Sequence, residues 1–338
     1  MRAKPGNRRG AESMAVGRPA IGLDLGGTKI LAVVISPEGR LLGRAGHPTP
    51  HSGRSALLGA MAGAVREAAA AAGVNVWETA GIGIGAPGPT DPEAGVLLEP
   101  PNLPLDCHNL PLRDLLQPEL AARIEVENDA NVAALGEHRF GAGRGVADMV
   151  YITVSTGIGG GLLTGGRLLR GAGFTAGEIG HMAVAPDGHD ICGCGRIGCW
   201  EAVCSGTAIA RQAREAVLAG RAPGLLARVG GDPAKLTPAE VTGAAAQGDP
   251  AARAIVDRVV TYNGVGLMNL LHLLSPGMIV IGGGLTHAWD ALVAPAIAWA
   301  QAHALRRPAA ACRMVRAELG DLVGGMGAAA LLSDGAPD

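Results

Sequence analysis

Apolar residues along this chain fall into two kinds of pattern. Short unbroken runs predict buried strands over Ala20–Leu25, Leu31–Ile35, Ala80–Gly85, Ile124–Val126, Met149–Val154 and Met278–Ile281. Longer stretches, apolar every third or fourth residue, predict helices over Ala56–Ala72, Asp129–Phe140, Ala208–Ala219, Ala251–Leu274 and Ala288–Ala304. The punctuation agrees. Gly73 stops the first helix, while the Asn128–Asp129 pair caps the second and Gly141 ends it. The turn Ser36-Pro37-Glu38-Gly39 leads from Leu31–Ile35 into Leu41-Leu42, a hairpin meander. Strands alternating with helices place the chain in the α/β class with mixed sheets. A second strand–glycine–strand opening begins at Met149–Val154 and continues to Leu162-Leu163. Two halves that open alike imply an internal duplication with a cleft between them, the boundary near Asn131.

Composition narrows the function. The 338 residues are 48% hydrophobic and 17% charged, enough to bury a sizeable core and too apolar for intrinsic disorder. Lys and Arg number 28 against 30 Asp and Glu, and aromatics are 2%. With neither a basic field nor stacking surface, nucleic acid is not an expected partner. The 54 glycines show no G-X-Y period, which excludes collagen. They cluster beside the apolar runs, as expected where backbone approaches a ligand. The opening MRAKPGNRRGAESMAVGRPA has no apolar stretch of signal-peptide length; it reads as a disordered lead, with Met1 or Met14 as the start. Gly264–Leu285 is interrupted by Asn269, His272, Ser275 and Pro276, so a buried helix entering a buried strand is expected, not a membrane span. A soluble, cytoplasmic protein with no membrane partner is the expectation.

Three constellations carry candidate chemistry. In Asp24-Leu25-Gly26-Gly27-Thr28-Lys29, consecutive glycines let backbone N–H groups converge on an anion, Thr28 adds a hydroxyl, and Asp24 offers a carboxylate for hydrated Mg²⁺. Ser155-Thr156-Gly157-Ile158-Gly159-Gly160-Gly161 repeats that logic, and two such loops can grip a triphosphate from both sides. Gly83-x-Gly85-x-x-Gly88 matches a dinucleotide fingerprint, but Pro87, Pro89 and Pro92 forbid the helix it requires; a pocket-lining loop is expected instead. Finally, Cys192, Cys194, Cys199 and Cys204 fall within 13 residues. Spacing this tight suits a tetrahedral zinc knuckle, with His181, His189 or Cys204 as fourth ligand.

In order along the chain stand Asp24-x-Gly26-Gly27-Thr28-Lys29, Glu127-Asn128-Asp129-Ala130-Asn131, Glu178-x-x-His181 and Cys192-Gly-Cys194-Gly-x-x-Gly-Cys199-x-Glu201. Together, from about Ile21 to the end, they resemble the ROK family of bacterial sugar kinases and repressors, most closely its glucokinase branch. The resemblance implies an actin-like ATPase (ribonuclease H-like) fold, two α/β domains around a central cleft, and a homodimer or homotetramer. The expected division is a lead over 1–19, a smaller domain over 20–131 rejoined by a helix at about 321–338, and a larger domain over 132–320 carrying the knuckle. The implied activity is phosphorylation of a hexose 6-hydroxyl using ATP and Mg²⁺, glucose foremost. Kinases for N-acetylglucosamine, N-acetylmannosamine, fructose or allose share nearly all the motifs. Sugar-responsive repressors of the family place a DNA-binding domain before the core, whereas about twenty residues precede Ile21 here.

The same resemblance assigns residues. Structural zinc falls to His181, Cys192, Cys194 and Cys199, and Cys204, a departure from the pattern, becomes a small buried residue. Sugar contacts fall to Gly88, Asn102, Asn128, Asp129, Glu178, His181 and Glu201, with Asp129 the catalytic base. Nucleotide contacts fall to Asp24, Gly26, Gly27, Thr28, Lys29, Thr156, Gly157, Gly159 and Gly160, with Gly283 at the adenosine edge. The dipole of the helix that Asp129 opens is expected to keep it ionised at neutral pH.

Overall fold

The computed structural model describes residues 17–332; residues 1–16, which hold most of the expected lead over 1–19 with its choice of start, and residues 333–338 lie outside. Strands β1 (Ala20–Leu25), β2 (Lys29–Ile35) and β3 (Leu41–Pro48) form the expected antiparallel meander. Helix α1 (Arg54–Ala72) then leads to β4 (Ile82–Ala86), which pairs in parallel with β1. After a small hairpin of β5 (Thr90–Asp91) and β6 (Val96–Leu97), helix α2 (Leu112–Leu120) leads to β7 (Ile124–Asn128). The first sheet therefore runs β3-β2-β1-β4-β7. Helix α3 (Asp129–Phe140) follows β7 without a break. The expected boundary at Asn131 thus falls inside a helix and not in a linker.

The second sheet repeats the plan. A meander of β8 (Met149–Val154), β9 (Ile158–Thr164) and β10 (Arg167–Leu168) is extended in parallel by two later strands. Between them come α4 (Trp200–Cys204), α5 (Gly206–Leu218), α6 (Pro223–Arg228), α7 (Pro238–Ala246) and the 25-residue α8 (Pro250–Leu274). The long helix starts sharply because Asp249 accepts the Ala252 N–H and Pro250 supplies a helical φ at no hydrogen-bond cost. The extending strands are β11 (Met278–Gly282) and β12 (Arg313–Arg316), separated by α9 (Ala294–His303) and α10 (Arg306–Ala311). The sheet order is β10-β9-β8-β11-β12, the first sheet's order element for element. Helix α9 is entered through a π turn at Trp289–Val293, within the helix expected from Ala288.

A short last helix, α11 (Val323–Ala330), explains many of the glycines. It lies against β1, β2, β4 and α3 at backbone distance. A Cβ on Gly22 would stand 1.8 Å from Gly325 O, one on Gly83 1.7 Å from Ala328 O, and one on Gly327 1.7 Å from Val132 O. These glycines serve helix–strand and helix–helix packing and not ligand approach, which corrects the sequence reading for them. Glu137, fully buried on α3, ties the segment before α11 by accepting the N–H groups of Glu318 and Leu319 at 2.9 and 2.8 Å. The returning chain is clamped to the helix that joins the two halves. No helix among the described residues is long and apolar enough to cross a membrane.

Candidate functional site

The site is assembled at the carboxyl ends of parallel strands, where α/β sheets place ligands. Asp24 sits near the end of β1, opposite Gly85 of β4, and Gly85 is in turn opposite Glu127 of β7. One register further, β7 ends at Asn128 and Asp129 begins α3. Asn128 is the helix cap. Its Oδ1 accepts the N–H groups of Ala130 and Asn131 at 2.9 and 3.2 Å, and its Nδ2 donates to Gly88 O at 3.1 Å. Gly88 turns at φ +81°, which brings that carbonyl to the asparagine. The capping task expected of the Asn128–Asp129 pair rests chiefly on Asn128, so Asp129 keeps one oxygen clear of the 2.8 Å bond to the Ala130 N–H.

The charge state of Asp129 differs from expectation. Burial first, then the neighbouring Asp24 carboxylate, pushes its pKa from an ordinary 3.8 up to about 7, against the help of the Ala130 N–H. Desolvation outweighs the helix dipole here, as it does for most buried carboxyls. Asp24 is raised to about 6 by burial, countered by Lys29. Two neighbouring buried carboxyls, the Asp24 charge adding to the rise of Asp129, form a cradle for positive charge. Gly324 makes the room: a Cβ there would lie 2.5 Å from the Asp24 carboxyl.

The first glycine turn is compact. Gly26 N–H bonds Lys29 O at 2.9 Å, and Thr49 Oγ1 donates to Gly26 O at 2.7 Å. Neither Gly26 nor Gly27 has a positive φ. Gly27 is small because Asn102 stands beside it, 3.1 Å from where a Cβ would be. Thr28 and Lys29 are exposed. The second turn is shorter than expected. Its apex is Ser155-Thr156-Gly157, closed by Ser155 N–H to Gly157 O at 2.9 Å. Gly159 and Gly160 already belong to β9. A Cβ on Gly160 would strike Ile179 at 2.5 Å, and one on Gly159 would approach Ala130 at 3.4 Å. Both lie in a packed strand and not in a loop, a correction to the seven-residue cradle. Gly283, at φ +88°, passes over the Val154 backbone and brings the β11 end against this turn.

The knuckle closes the other side. Donor atoms of His181, Cys192, Cys194 and Cys199 all lie within 4.8 Å of one another. Cys192 Sγ is 3.6 Å from His181 Nδ1 and Cys194 Sγ 3.7 Å from Cys199 Sγ. Zn–S bonds of about 2.3 Å in a tetrahedron set the sulfurs roughly 3.8 Å apart, so the donors fit zinc in identity and span. His181 turns Nδ1 to this cage, while its Nε2 lies 3.9 Å from Glu178. His189 is not among the grouped donors, and Cys204 is fully buried, its thiol 3.6 Å from Val259 O.

Glu201, two residues past Cys199, reaches the second turn. Its Oε2 accepts the Ile158 N–H at 2.9 Å, and a Cβ on Gly157 would lie 2.2 Å from the same oxygen. Its Oε1 stands 3.9 Å from Cys192 Sγ. Sequence reading offered Glu201 as a sugar contact only; its grip on the turn has no signal in spacing. Also missed was Arg170, whose Nε meets the buried Glu127 carboxylate at 2.6 Å.

With this geometry in hand, three likenesses are informative. A glucokinase of Halalkalibacterium halodurans is 37% identical over 308 residues, 91% of this chain and 92% of its own length. The Thermotoga maritima glucokinase is 38% identical over 276 residues, 81% of this chain and 84% of its own. A ROK family glucokinase from Streptomyces griseus, solved with glucose and AMPPNP, superposes with a TM-score of 0.77 at 36% identity, covering 94% of this chain and 100% of its own. The ROK family profile spans residues 20–335, and the chain belongs to the ROK family.

Proposed function

We propose that the chain is an ATP-dependent hexose kinase that phosphorylates the 6-hydroxyl, with glucose the preferred acceptor. The observation that carries the reading is Asp129, placed by an independently capped helix start beside Asp24 and between two glycine turns. The glucokinase relatives support glucose as the acceptor. In the reaction the sugar O6 forms a bond to the γ-phosphorus, the bond from phosphorus to the β–γ bridging oxygen breaks, and the hydroxyl proton passes to Asp129. Backbone N–H groups at Gly27 and Gly157, with the hydroxyls of Thr28 and Thr156, hold phosphate oxygens, while Gly26, its own N–H bonded to Lys29 O, shapes the turn. Asp24 is the carboxylate to hold Mg²⁺, which when bound neutralises phosphate charge. Glu178 and Glu201 accept hydroxyl hydrogens of the sugar, His181, its Nδ1 given to the cage, donates its Nε2–H to a sugar oxygen, and Asn102 and Gly88 border the sugar.

Zinc on His181, Cys192, Cys194 and Cys199 fills every position with protein, so its task is to fix Glu178 and Glu201 and not to do chemistry. The thiol-rich cage suits a reducing, cytoplasmic setting. The homodimer or homotetramer implied by the family resemblance is part of the same proposal. A coupled assay of ADP release over glucose, N-acetylglucosamine, N-acetylmannosamine and fructose tests the reading. Glucose is expected to give the highest kcat/KM. A higher value for another sugar overturns the preference, and no ADP release with any of them overturns the kinase.

A further inference from the structure

Glu127 opens the Glu-Asn-Asp run, yet the proposed chemistry gives it no task. It is 1% exposed, a burial that a carboxylate tolerates only when fully partnered. Its Oε1 accepts the Asn128 N–H at 2.9 Å and Asn131 Nδ2 at 3.0 Å, so it grips both sides of the turn that presents Asp129. Its Oε2 accepts Arg170 Nε at 2.6 Å. Glu127 belongs to the first sheet, whereas Arg170 follows β10 at the edge of the second.

Arg170 also begins the segment that ends in Glu178. Ala176 N–H returns to Arg170 O at 3.0 Å and Glu178 N–H meets Thr175 O at 3.4 Å, so the segment is folded back on its first residue. A buried carboxylate behind one side chain of the site is thus tied to the root of the segment bearing another. Asp129 and Glu178 lie close enough for their charges to interact.

The geometry points to the Arg170–Glu127 pair as a strut between the two halves that sets the position of Glu178 relative to Asp129. Neither residue touches substrate in this arrangement; both are positioning residues. The inference rests on the kinase reading, with the sugar held between Asp129 and Glu178. A strut acts on sugar geometry and on the rate, and leaves the nucleotide turns alone.

Arg170→Met strands a buried carboxylate and removes the tie together. The Glu127→Gln/Arg170→Met double variant relieves the stranded charge but leaves the tie absent. For Arg170→Met we expect kcat 10- to 100-fold lower, KM for glucose raised about tenfold and KM for ATP changed less than twofold. The melting temperature should fall in this variant and recover in the double variant, while kcat stays low in both. Arg170→Lys, which restores a cation to Glu127, should recover part of kcat. Wild-type kcat and glucose KM in Arg170→Met overturn the strut, and so does recovery of kcat together with stability in the double variant. Asp129→Asn, assayed in parallel, separates the two readings: if it stays active the base assignment fails, whatever Arg170 does.

Discussion

The two glycine turns occupy equivalent places in two sheets of equal strand order, yet they are built for different tasks. In the first, β1 carries Asp24 one residue before its end; at the equivalent place in β8 stands Thr153, opposite Gly282 as Asp24 is opposite Gly85. The first turn therefore has a buried acid behind it, and Asp129, the second acid, starts a helix from the same sheet. The second turn has no acid of its own sheet. Its charge arrives from outside, as Glu201 on α4, held by the Cys/His knuckle and bonded to the Ile158 N–H. Two sheets of one strand order carry two turns of one shape, one set by acids of its own sheet and the other by a carboxylate from α4.

The division is tested most severely at Asp129. Asp129→Asn keeps the shape and leaves the Asn128 cap intact, so the protein should fold while kcat falls about 10²–10⁴-fold. Stability should move the other way at high pH. A carboxyl raised from 3.8 to about 7 in the folded state binds its proton more tightly there than when unfolded. Its ionisation therefore costs folding energy, increasingly from about pH 4 to 7 and fully above 7. Asp129→Asn should raise stability at pH 8 by roughly 1–4 kcal/mol, a gain that vanishes near pH 4. Equal stability at both pH values, measured by urea unfolding, would refute the burial of this charge.

Asp24 sharpens the same point through pH dependence. If Asp129 is the base, kcat/KM should rise with pH and level off above about 7, because only the ionised carboxylate accepts the proton. Asp24→Asn removes the like charge that helps to raise Asp129, so the limb of the residual activity should shift to lower pH. A limb that stays put means the two acids are not coupled.

Removing the knuckle should cost less in chemistry than in order. Cys194→Ser takes one thiolate from the cage, so zinc content by metal analysis should drop, melting temperature should fall, and glucose KM should rise as Glu178 and Glu201 lose their fixed frame. Absence of zinc from the purified wild type refutes the metal. The turns themselves should respond in different ways. Gly27→Val fills phosphate space at the charged turn and presses on Asn102, so KM for ATP should rise more than tenfold and KM for glucose much less. Gly157→Ala meets only the movable end of Glu201, 2.2 Å from the new Cβ, so folding should survive. Glucose KM and ATP KM should then rise together, by a few-fold, because one carboxylate serves both ligands. Calorimetry of each ligand alone separates the two patterns.

Much of this was legible in the residues. Both meanders, α1, α3, α8 and the knuckle carry strong local signals: unbroken apolar runs, a cap pair, and thiols too close together for chance. What stayed hidden is tertiary. Helix α11 is expected at about 321–338 only through the family resemblance: its own Val-Gly-Gly-Met-Gly-Ala-Ala-Ala has low helix propensity, and the reason it is helical, a surface without side chains against α3 and β1, lies in the packing. The glycines of β9 look like a loop until Ile179 and Ala130 are seen pressing on them. The raised pKa of Asp129 comes first from burial among distant segments and then from Asp24, 105 positions earlier, and Arg170 is joined to Glu127 across 43 positions. No window of sequence contains such pairs.

The smallest expected effect concerns the thiol that spacing alone left in contention. Cys204 lies five residues beyond Cys199, at the end of the helix that presents Glu201. It is fully buried against α8, its thiol pointing to Val259 O at 3.6 Å, and burial holds its proton on well above the ordinary thiol range. A thiol so placed is a small apolar residue with a weak donor. Serine at this position keeps the donor and swaps sulfur for a smaller, more polar oxygen in an apolar wall, a loss of about 1–2 kcal/mol. Because the cage lies elsewhere, Cys204→Ser should retain the metal in full, keep both KM values within twofold, and shift the melting temperature by a few degrees. Loss of zinc from this variant would move the fourth ligand from His181 to Cys204. It would also free the imidazole that now links the cage to Glu178, and the contrast between a charged turn and a positioned turn would have to be redrawn.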